Sequence, residues 1–233
     1  MSNNDLFSMQ GKLVLVTGAS SGLGKHFAQV LAKAGATVLL SARNVEKLQQ
    51  VLDQIQAEGG QAFAVAMDVS NSTSVKTALN AIVDQHGVPD VLVNNAGQSI
   101  AKPMLEQTED DWDQIIDTNL KGCWLVGTEL ARALAAAGKP GSIVNIASIL
   151  GERVGGAVGP YAISKAGLVQ ATKAMALELA RHRIRVNALL PGYVVTDLNR
   201  DYHNSEAGDK LRSRIPSRRF GELSDLDGPL LLL

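Results

Sequence analysis

The sequence has too few cysteines for a disulfide-bonded or zinc-cluster protein. Its charge is too balanced for a general nucleic-acid binder, and its apolar runs are too short to span a membrane. Its 233 residues include one cysteine, Cys123, so neither an internal disulfide nor a thiolate zinc cluster can form. The 22 Lys and Arg residues against 23 Asp and Glu residues give a net charge of −1. This balance argues against non-specific electrostatic binding of nucleic acid or anionic lipid. No apolar run approaches the roughly 18 residues of a membrane span.

Signals for secretion and for metal binding are also missing. Residues 1–12 (MSNNDLFSMQGK) contain neither a long apolar core nor a basic leader, so we expect no secretory signal and a cytoplasmic protein. Histidine occurs at four scattered positions without ligand spacing, His26, His86, His182 and His203. We therefore expect no metal site, and we interpret Cys123 as a small packing residue.

Short apolar runs alternate with stretches of helical period along the chain. The runs predict strands at 12–16, 37–40, 62–67, 91–93, 142–146 and 185–190. The stretches between them predict helices at 22–34, 45–57, 75–85, 110–136 and 161–180. Continuous apolar strands between helices are typical of parallel strands that are covered on both faces. We predict an α/β fold with one domain, 1–233, built on a doubly wound parallel sheet of order 3-2-1-4-5-6 with helices on both faces.

A glycine-rich turn, Thr17 to Gly24 (TGASSGLG), follows the first predicted strand. Gly18 allows the tight turn, Gly22 lets a pyrophosphate approach the backbone, and Gly24 lets helix and strand pack closely. The start of the next helix offers free N–H groups and a positive dipole to phosphates. The turn predicts a dinucleotide site formed by Gly18, Ser20, Ser21, Gly22, Leu23 and Gly24.

The end of the second strand indicates which nucleotide binds. An NAD-preferring protein needs an acidic residue about 20 positions after the glycine turn, and Ala42 stands there. Arg43 offers forked donors to a 2′-phosphate, and Ser41 adds a hydroxyl. We expect NADP(H) as the preferred cofactor, while NAD(H) stays open because Arg43 is also consistent with a solvated surface residue. Asp68, followed by Val69, is a candidate acceptor for the adenine amino group or a simple helix-entry residue.

Tyr161 and Lys165 stand four residues apart in a predicted helix and therefore share one face. A free tyrosine has a pKa of about 10 and is a poor acid–base group at neutral pH. A nearby ammonium stabilises the phenolate and lowers that pKa. The pair therefore predicts an acid–base group that protonates a carbonyl oxygen or deprotonates an alcohol.

With these motifs, the chain resembles the short-chain dehydrogenase/reductase family from near residue 10 to about residue 196. The matching pieces fall in the family's order and spacing: the glycine turn, Asn94 to Gly97 (NNAG), Asn119, Ser148, Tyr161 with Lys165, and Pro191 to Thr196 (PGYVVT). The resemblance implies that Tyr161 transfers the proton and that Ser148 holds the substrate oxygen. It implies that Lys165 lowers the tyrosine pKa and binds ribose, and that Asn119 holds a water that links Lys165 to solvent.

The resemblance also implies further cofactor contacts. These are expected from the loop after the fourth strand and from the segment after the sixth, where Thr196 bonds the carboxamide. The residues concerned are Asn94, Ala96, Gly97, Pro191, Gly192, Val194 and Thr196.

The implied activity is hydride transfer between nicotinamide and a ketone or secondary alcohol, with a small carbonyl or hydroxy compound as substrate. The chain is similar to members that reduce 3-oxoacyl thioesters or oxidise gluconate. The family resemblance further implies a homo-oligomer, a dimer or a tetramer. The alternative is a catalytically impaired nucleotide-binding regulatory or scaffold protein.

Two stretches near the carboxyl end depart from the pattern. Residues 197–220 are polar and of mixed charge, and we expect them to form a substrate lid. Residues 224–233 end in four leucines, Leu230 to Leu233, and are typical of the start of an incomplete helix. The family's final strand is missing from the sequence, so we expect a fragment or an incomplete sequence in which these leucines are unpacked and stability is low.

Overall fold

Six parallel strands form one sheet in the part of the chain that the computed structural model describes, residues 7–196, 201 and 205–233. The strands are β1 (Leu13–Thr17), β2 (Thr37–Ala42), β3 (Gln61–Ala66), β4 (Val91–Asn94), β5 (Gly141–Ile146) and β6 (Ile184–Leu189). Their order is β3-β2-β1-β4-β5-β6, which confirms the predicted topology. The order reverses between β1 and β4, and such a reversal is where open parallel sheets bind ligands.

Helices connect the strands and cover both faces of the sheet. They are α1 (Gly22–Lys33), α2 (Val45–Ala57), α3 (Ser72–His86), α4 (Glu109–Ile116), α5 (Gly122–Ala136), α6 (Gly159–Leu179), α7 (Glu206–Arg212) and α8 (Asp227–Leu232). Asn44 caps α2 by accepting from the Lys47 N–H, and Asn71 caps α3 by accepting from the Ser74 N–H. These bonds satisfy donors that a first helical turn leaves unpaired.

The predicted helix 110–136 is interrupted in its middle by a π-helical segment, which we call the bend. The helix starts at Glu109 and is capped by Thr108, whose side chain accepts from the Asp111 N–H while the Asp111 carboxylate accepts from the Thr108 N–H. Between α4 and α5, the segment Asp117–Lys121 is π-helical, and the Gly122 N–H bonds the Asp117 carbonyl five residues earlier. This spacing is one residue wider than that of an α-helix. The predicted extent is confirmed, and the predicted continuity as one α-helix is wrong.

Alternate side chains of the strands pack into two apolar cores. Val14 and Val16 of β1 face the core formed with α1, α2 and α8, whereas Leu15 faces the core formed with α3, α5 and α6. The four inner strands, β2, β1, β4 and β5, are buried on both faces, so their sequences are mainly apolar without alternation, whereas the edge strands β3 and β6 are partly exposed. The sheet is thereby fixed from both sides, and its carboxyl ends hold the loops that build the site.

The carboxyl-terminal leucines are packed, so the expectation that they are unpacked is wrong. Leu230 is 4% exposed and belongs to the core beneath α1. Leu231 and Leu233 pack against the same core, while Leu232 stays exposed. The Leu233 carbonyl also accepts hydrogen bonds from Ser142 and Arg185 on β5 and β6. Helix α8 finds these partners on α1 and the sheet, which are far from it in sequence.

Two main-chain hydrogen bonds join the segment after β6 to the residues before α8. The Val195 N–H donates to the Gly221 carbonyl at 2.9 Å, and the Gly221 N–H donates to the Tyr193 carbonyl at 2.8 Å. The predicted lid, 197–220, lies between these anchored ends. Its residues 197–200 and 202–204 are outside the described residues, and α7 falls within it.

No helix within the described residues combines the length and apolar character needed to cross a membrane. The same residues contain no group of three or more His, Cys, Asp or Glu side chains placed to hold a metal ion. Cys123 is a buried free thiol that packs with Ala147 and Leu168.

Candidate active site

A cavity of about 650 Å³ opens where the strands of the sheet end, and most of the predicted site residues line it. The predicted residues on its walls are Gly18, Ser20, Ser21, Gly22, Leu23, Arg43, Asp68, Val69, Ala96, Gly97, Ser148, Tyr161, Lys165, Pro191, Gly192, Val194 and Thr196. Residues from opposite ends of the sequence therefore share one cleft, as expected. Gly24, Asn94 and Asn119 are not on its walls.

The glycine turn has the geometry that the spacing predicts. Gly22 has a φ of +53°, and a Cβ built on it would meet nothing within 4 Å, so the backbone at the start of α1 is open to a ligand. A Cβ on Gly24 would lie 2.3 Å from the Gly18 carbonyl oxygen and 2.4 Å from Asn95 Nδ2. Only glycine permits that approach. Gly24 thus contributes through packing beneath the turn, which explains its absence from the cavity wall.

Thr17 and Asn95, neither of which was predicted as a site residue, join the glycine turn to the loop after β4. The Thr17 hydroxyl accepts from the N–H groups of Asn95 and Ala96, both at 3.0 Å. The Asn95 side-chain amide donates to the carbonyls of Thr17 and Gly18 at 3.0 and 3.3 Å. The two loops therefore form one wall of the cavity. The NNAG motif indicates that an asparagine acts here, but the sequence does not show which of Asn94 and Asn95 faces the glycine turn.

Asn94, predicted to lie along a cofactor, is instead buried in the sheet at 1% exposure. Its side-chain amide donates to the Cys123 carbonyl and to Asn145 Oδ1, each at 2.9 Å. Asn145 in turn donates to the Thr172 hydroxyl at 2.8 Å. As the last residue of β4, Asn94 points into the sheet's interior, and the next residue, Asn95, points to the cavity. Asn94 therefore links β4 to α5 and β5, and through Asn145 to α6.

The end of β2 presents Arg43 to the cavity, together with Ala42 and Asn44. Ser41 is fully buried, and its hydroxyl has no partner among the described residues. Asp68 Oδ1 accepts from the main-chain N–H and the hydroxyl of Ser70, at 3.0 and 2.7 Å. Asp68 thus shapes the entry to α3 while it also borders the cavity.

Ser148, Tyr161 and Lys165 converge at the other end of the cavity. Ser148 follows β5 and accepts from the Leu150 N–H at 3.1 Å, which leaves its hydroxyl hydrogen for another acceptor. Lys165 Nζ lies 5.7 Å from the centroid of the Tyr161 ring. The same Nζ donates to the Ile146 carbonyl at 2.7 Å, and Lys165 is 4% exposed. The α6 helix therefore carries both predicted residues to the end of β5.

Burial dominates the electrostatics of this pair. It raises the pKa of the Tyr161 phenol above its usual range, and a hydrogen bond with Ser148 partly opposes the rise. It lowers the pKa of the Lys165 ammonium. The expected lowering of the tyrosine pKa is therefore not found, because removal from water disfavours the phenolate more than the neighbouring groups stabilise it. Burial likewise raises the pKa of the Cys123 thiol to about 11.

Asn119 lies within the π segment and is fully buried. Its Oδ1 accepts from the Gln98 N–H at 2.8 Å, and its Nδ2 donates to the Gln98 carbonyl at 2.8 Å and to the Ser164 hydroxyl at 3.1 Å. Its side chain is therefore engaged by the protein rather than directed into the cavity. Gln98 and Ser164 were not identified from the sequence, because only their hydrogen bonds to Asn119 distinguish them from other polar residues.

Comparison with known proteins gives consistent matches. The family model for short chain dehydrogenases matches residues 12–207. Gluconate 5-dehydrogenase of Gluconobacter oxydans is 37% identical over 100% of this chain and 91% of that protein. The 3-oxoacyl-[acyl-carrier-protein] reductase of Staphylococcus aureus is 36% identical over 95% of this chain and 90% of that protein. A gluconate 5-dehydrogenase from Burkholderia cenocepacia, solved in complex with NADP and tartrate, superposes with a TM-score of 0.94 at 34% identity, covering 99% of this chain and 90% of that one.

Proposed function

The chain belongs to the short chain dehydrogenase family of NAD(P)-dependent oxidoreductases, and from that premise we propose that it interconverts a secondary alcohol and a ketone with Tyr161 as the acid–base group. The convergence of Ser148, Tyr161 and Lys165 at the cavity that the glycine turn also lines is the observation that carries this proposal. Because all four predicted catalytic positions are intact, the catalytically impaired regulatory or scaffold alternative is not favoured.

The residues of the cavity fit a dinucleotide. The open backbone at Gly22 and the amino end of α1 form a cradle for phosphate. The residues that would hold the rest of the nucleotide are Arg43 at the adenosine ribose, Asp68 and Val69 at the adenine, Lys165 at the nicotinamide ribose and Thr196 at the carboxamide. Bound nicotinamide supplies or accepts the hydride.

The protein's own groups handle the oxygen and the proton. Ser148 accepts from the Leu150 N–H, and its hydroxyl donates to the substrate oxygen beside Tyr161. Tyr161, raised in pKa by burial, is protonated at neutral pH and is ready to donate in the direction of ketone reduction. Lys165 uses one of its donors on the Ile146 carbonyl and retains others for ribose and for the proton path through Asn119.

NADP(H) is the proposed cofactor in preference to NAD(H). Arg43 borders the cavity at the end of β2, and no acidic residue stands at position 42. A guanidinium can bond a 2′-phosphate through two donors at once. The NADP in the Burkholderia structure supports the same choice.

The proposed substrate is a hydroxy acid of the gluconate class, oxidised at a secondary alcohol. The names of the Gluconobacter and Burkholderia relatives support it, while the Staphylococcus relative makes a 3-oxoacyl thioester the second candidate. Two assays with purified protein separate them: D-gluconate with NADP⁺, and acetoacetyl-CoA with NADPH. Turnover of gluconate at least tenfold faster supports the first candidate, faster turnover of acetoacetyl-CoA supports the second, and activity with neither contradicts both.

A homo-oligomer, a dimer or tetramer, is the proposed assembly. Trp112 on α4, Trp124 on α5 and Ile163 on α6 are 41%, 47% and 47% exposed, and they supply apolar surface that a partner subunit would cover. Light scattering of the wild-type protein and of Trp124→Glu tests the proposal. We expect a defined oligomer that the substitution dissociates; a wild-type monomer contradicts it.

We further propose that the chain acts as one cytoplasmic catalytic domain, with 197–220 as its substrate lid.

A further inference from the structure

Gln98 contacts the bend between α4 and α5 with its main chain. Its N–H donates to Asn119 Oδ1 and its carbonyl accepts from Asn119 Nδ2, both at 2.8 Å. The main-chain N–H and carbonyl of Gln98 thus bond both ends of the Asn119 side-chain amide. Gln98 therefore determines where the Asn119 side chain lies within the π segment.

The side chain of Gln98 contacts the same bend from outside. Its Nε2 donates to the Gln114 carbonyl at 2.9 Å and to the Thr118 hydroxyl at 3.1 Å. Because a carbonyl can only accept, the bond to Gln114 defines which end of the Gln98 amide faces the helix. Both hydrogens of Nε2 are thereby used, one at the last turn of α4 and one inside the π segment.

These bonds support the helix where its own bonding changes register. The Gly122 N–H reaches back five residues to Asp117, whereas α4 follows the four-residue spacing of an α-helix. Such a change weakens the regular ladder, and π segments are often placed at functional sites. The Gln98 amide supplies bonds from a neighbouring loop at that point, and Gln98 and Thr118 both border the cavity.

The bend is coupled to the catalytic pair through Asn119. Asn119 Nδ2 donates to the Ser164 hydroxyl at 3.1 Å, and Ser164 donates to the Tyr161 carbonyl at 2.7 Å. A Cβ built on Gly97 would lie 3.3 Å from Asn119 Oδ1 and 3.6 Å from Lys165 Nζ, so these two atoms flank one glycine. A shift of the bend therefore changes the surroundings of Lys165.

We propose that Gln98 is a positioning residue, which holds the π segment so that Asn119 stays beside Lys165 during proton transfer. This inference rests on the proposed function, since it assigns Gln98 a place in the proton path of that reaction. A purely structural role would stabilise the bend without affecting the proton step.

Gln98→Met tests the proposal because methionine keeps the length and the main-chain bonds but loses both side-chain bonds. Gln107→Met is the matched control: Gln107 Nε2 also bonds a main-chain carbonyl, that of Lys102 at 2.8 Å, but it does not contact the bend. With D-gluconate and NADP⁺, we expect Gln98→Met to lower kcat by about tenfold to a hundredfold. We also expect a larger solvent deuterium isotope effect and an unchanged Kd for NADPH, while Gln107→Met matches wild type. An unchanged kcat and isotope effect in Gln98→Met overturns the proposal.

Hydrogen exchange followed by mass spectrometry provides a readout that needs no substrate. In Gln98→Met, we expect faster exchange in residues 114–122 and also around Tyr161 to Lys165, with α3 unchanged. Faster exchange confined to 114–122, or none, shows a local structural role and overturns the proposal. Wild-type protein that fails to turn over gluconate and acetoacetyl-CoA contradicts the proposed function instead, and the exchange pattern still decides the coupling between the bend and the catalytic pair.

Discussion

Gly24→Ala is the substitution whose effect follows most directly from distances in the structure. The new Cβ would lie 2.3 Å from the Gly18 carbonyl oxygen and 2.4 Å from Asn95 Nδ2, far inside the usual contact distance of about 3.5 Å. Neither neighbour can yield freely, because Asn95 is bonded to the carbonyls of Thr17 and Gly18. Relief therefore requires displacement of the glycine turn itself, at a cost of about 1–3 kcal/mol for overpacking.

Two measurements test this prediction on the same variant. Urea denaturation should show a loss of about 1–3 kcal/mol in the free energy of unfolding, and titration of NADPH fluorescence should show binding weakened by about tenfold or more. Gly156→Ala is the control, because a Cβ there would meet nothing within 4 Å, and we expect a change within about 0.5 kcal/mol. A Gly24→Ala protein with wild-type stability and wild-type NADPH affinity would refute the assignment of the turn.

Three further predictions concern separate parts of the molecule. Arg43→Ala should weaken NADPH binding by about tenfold to a hundredfold, since a hydrogen bond to a charged group contributes about 1.5–3 kcal/mol, and should leave NADH binding within about twofold; equal losses would contradict the phosphate contact. Thr172→Val should destabilise the fold by about 1–3 kcal/mol because the buried Asn145 amide loses its acceptor at 2.8 Å, as measured by urea denaturation. Burial raises the pKa of the Cys123 thiol from 9.0 to about 11, so the folded state holds this proton more tightly than the unfolded state. That contribution to stability is complete below pH 9 and is lost as pH rises through about 11; Ellman's reagent at pH 8 should leave the folded protein unlabelled, and rapid labelling would contradict the burial.

The hydrophobic pattern of the sequence was sufficient for the architecture. The helix predicted at 45–57 has the bounds of α2, Val45–Ala57, because its apolar period is clear and Asn44 caps it. The bend between α4 and α5 could not be predicted, since a π segment changes the hydrogen-bond register without interrupting the apolar pattern. The packing of Leu230 was missed for another reason, as its partners on α1 lie some two hundred residues earlier in the chain.

Site residues were predictable where the side chain itself has a distinctive chemistry. They were not predictable where only the position in the fold decides the role. Tyr161 and Lys165 carry distinctive side chains at helical spacing, and the structure brings both to the cavity. Asn94 and Asn95 are chemically identical, and only the end of β4 decides that the first faces the sheet and the second the cavity. The sequence also could not show whether the pKa of Tyr161 is raised or lowered, because the shift depends on how deeply the phenol is buried.

The kcat of Tyr161→Phe tests the central claim most directly. Phenylalanine retains the ring but cannot transfer a proton, and general acid–base catalysis contributes about a hundredfold to ten-thousandfold to rate. With D-gluconate and NADP⁺, or with acetoacetyl-CoA and NADPH, we predict that kcat falls by about a thousandfold. The Kd for NADPH should stay within about twofold of that of the wild-type protein. Turnover by Tyr161→Phe at the wild-type rate would contradict the role of Tyr161 and, with it, the proposed mechanism.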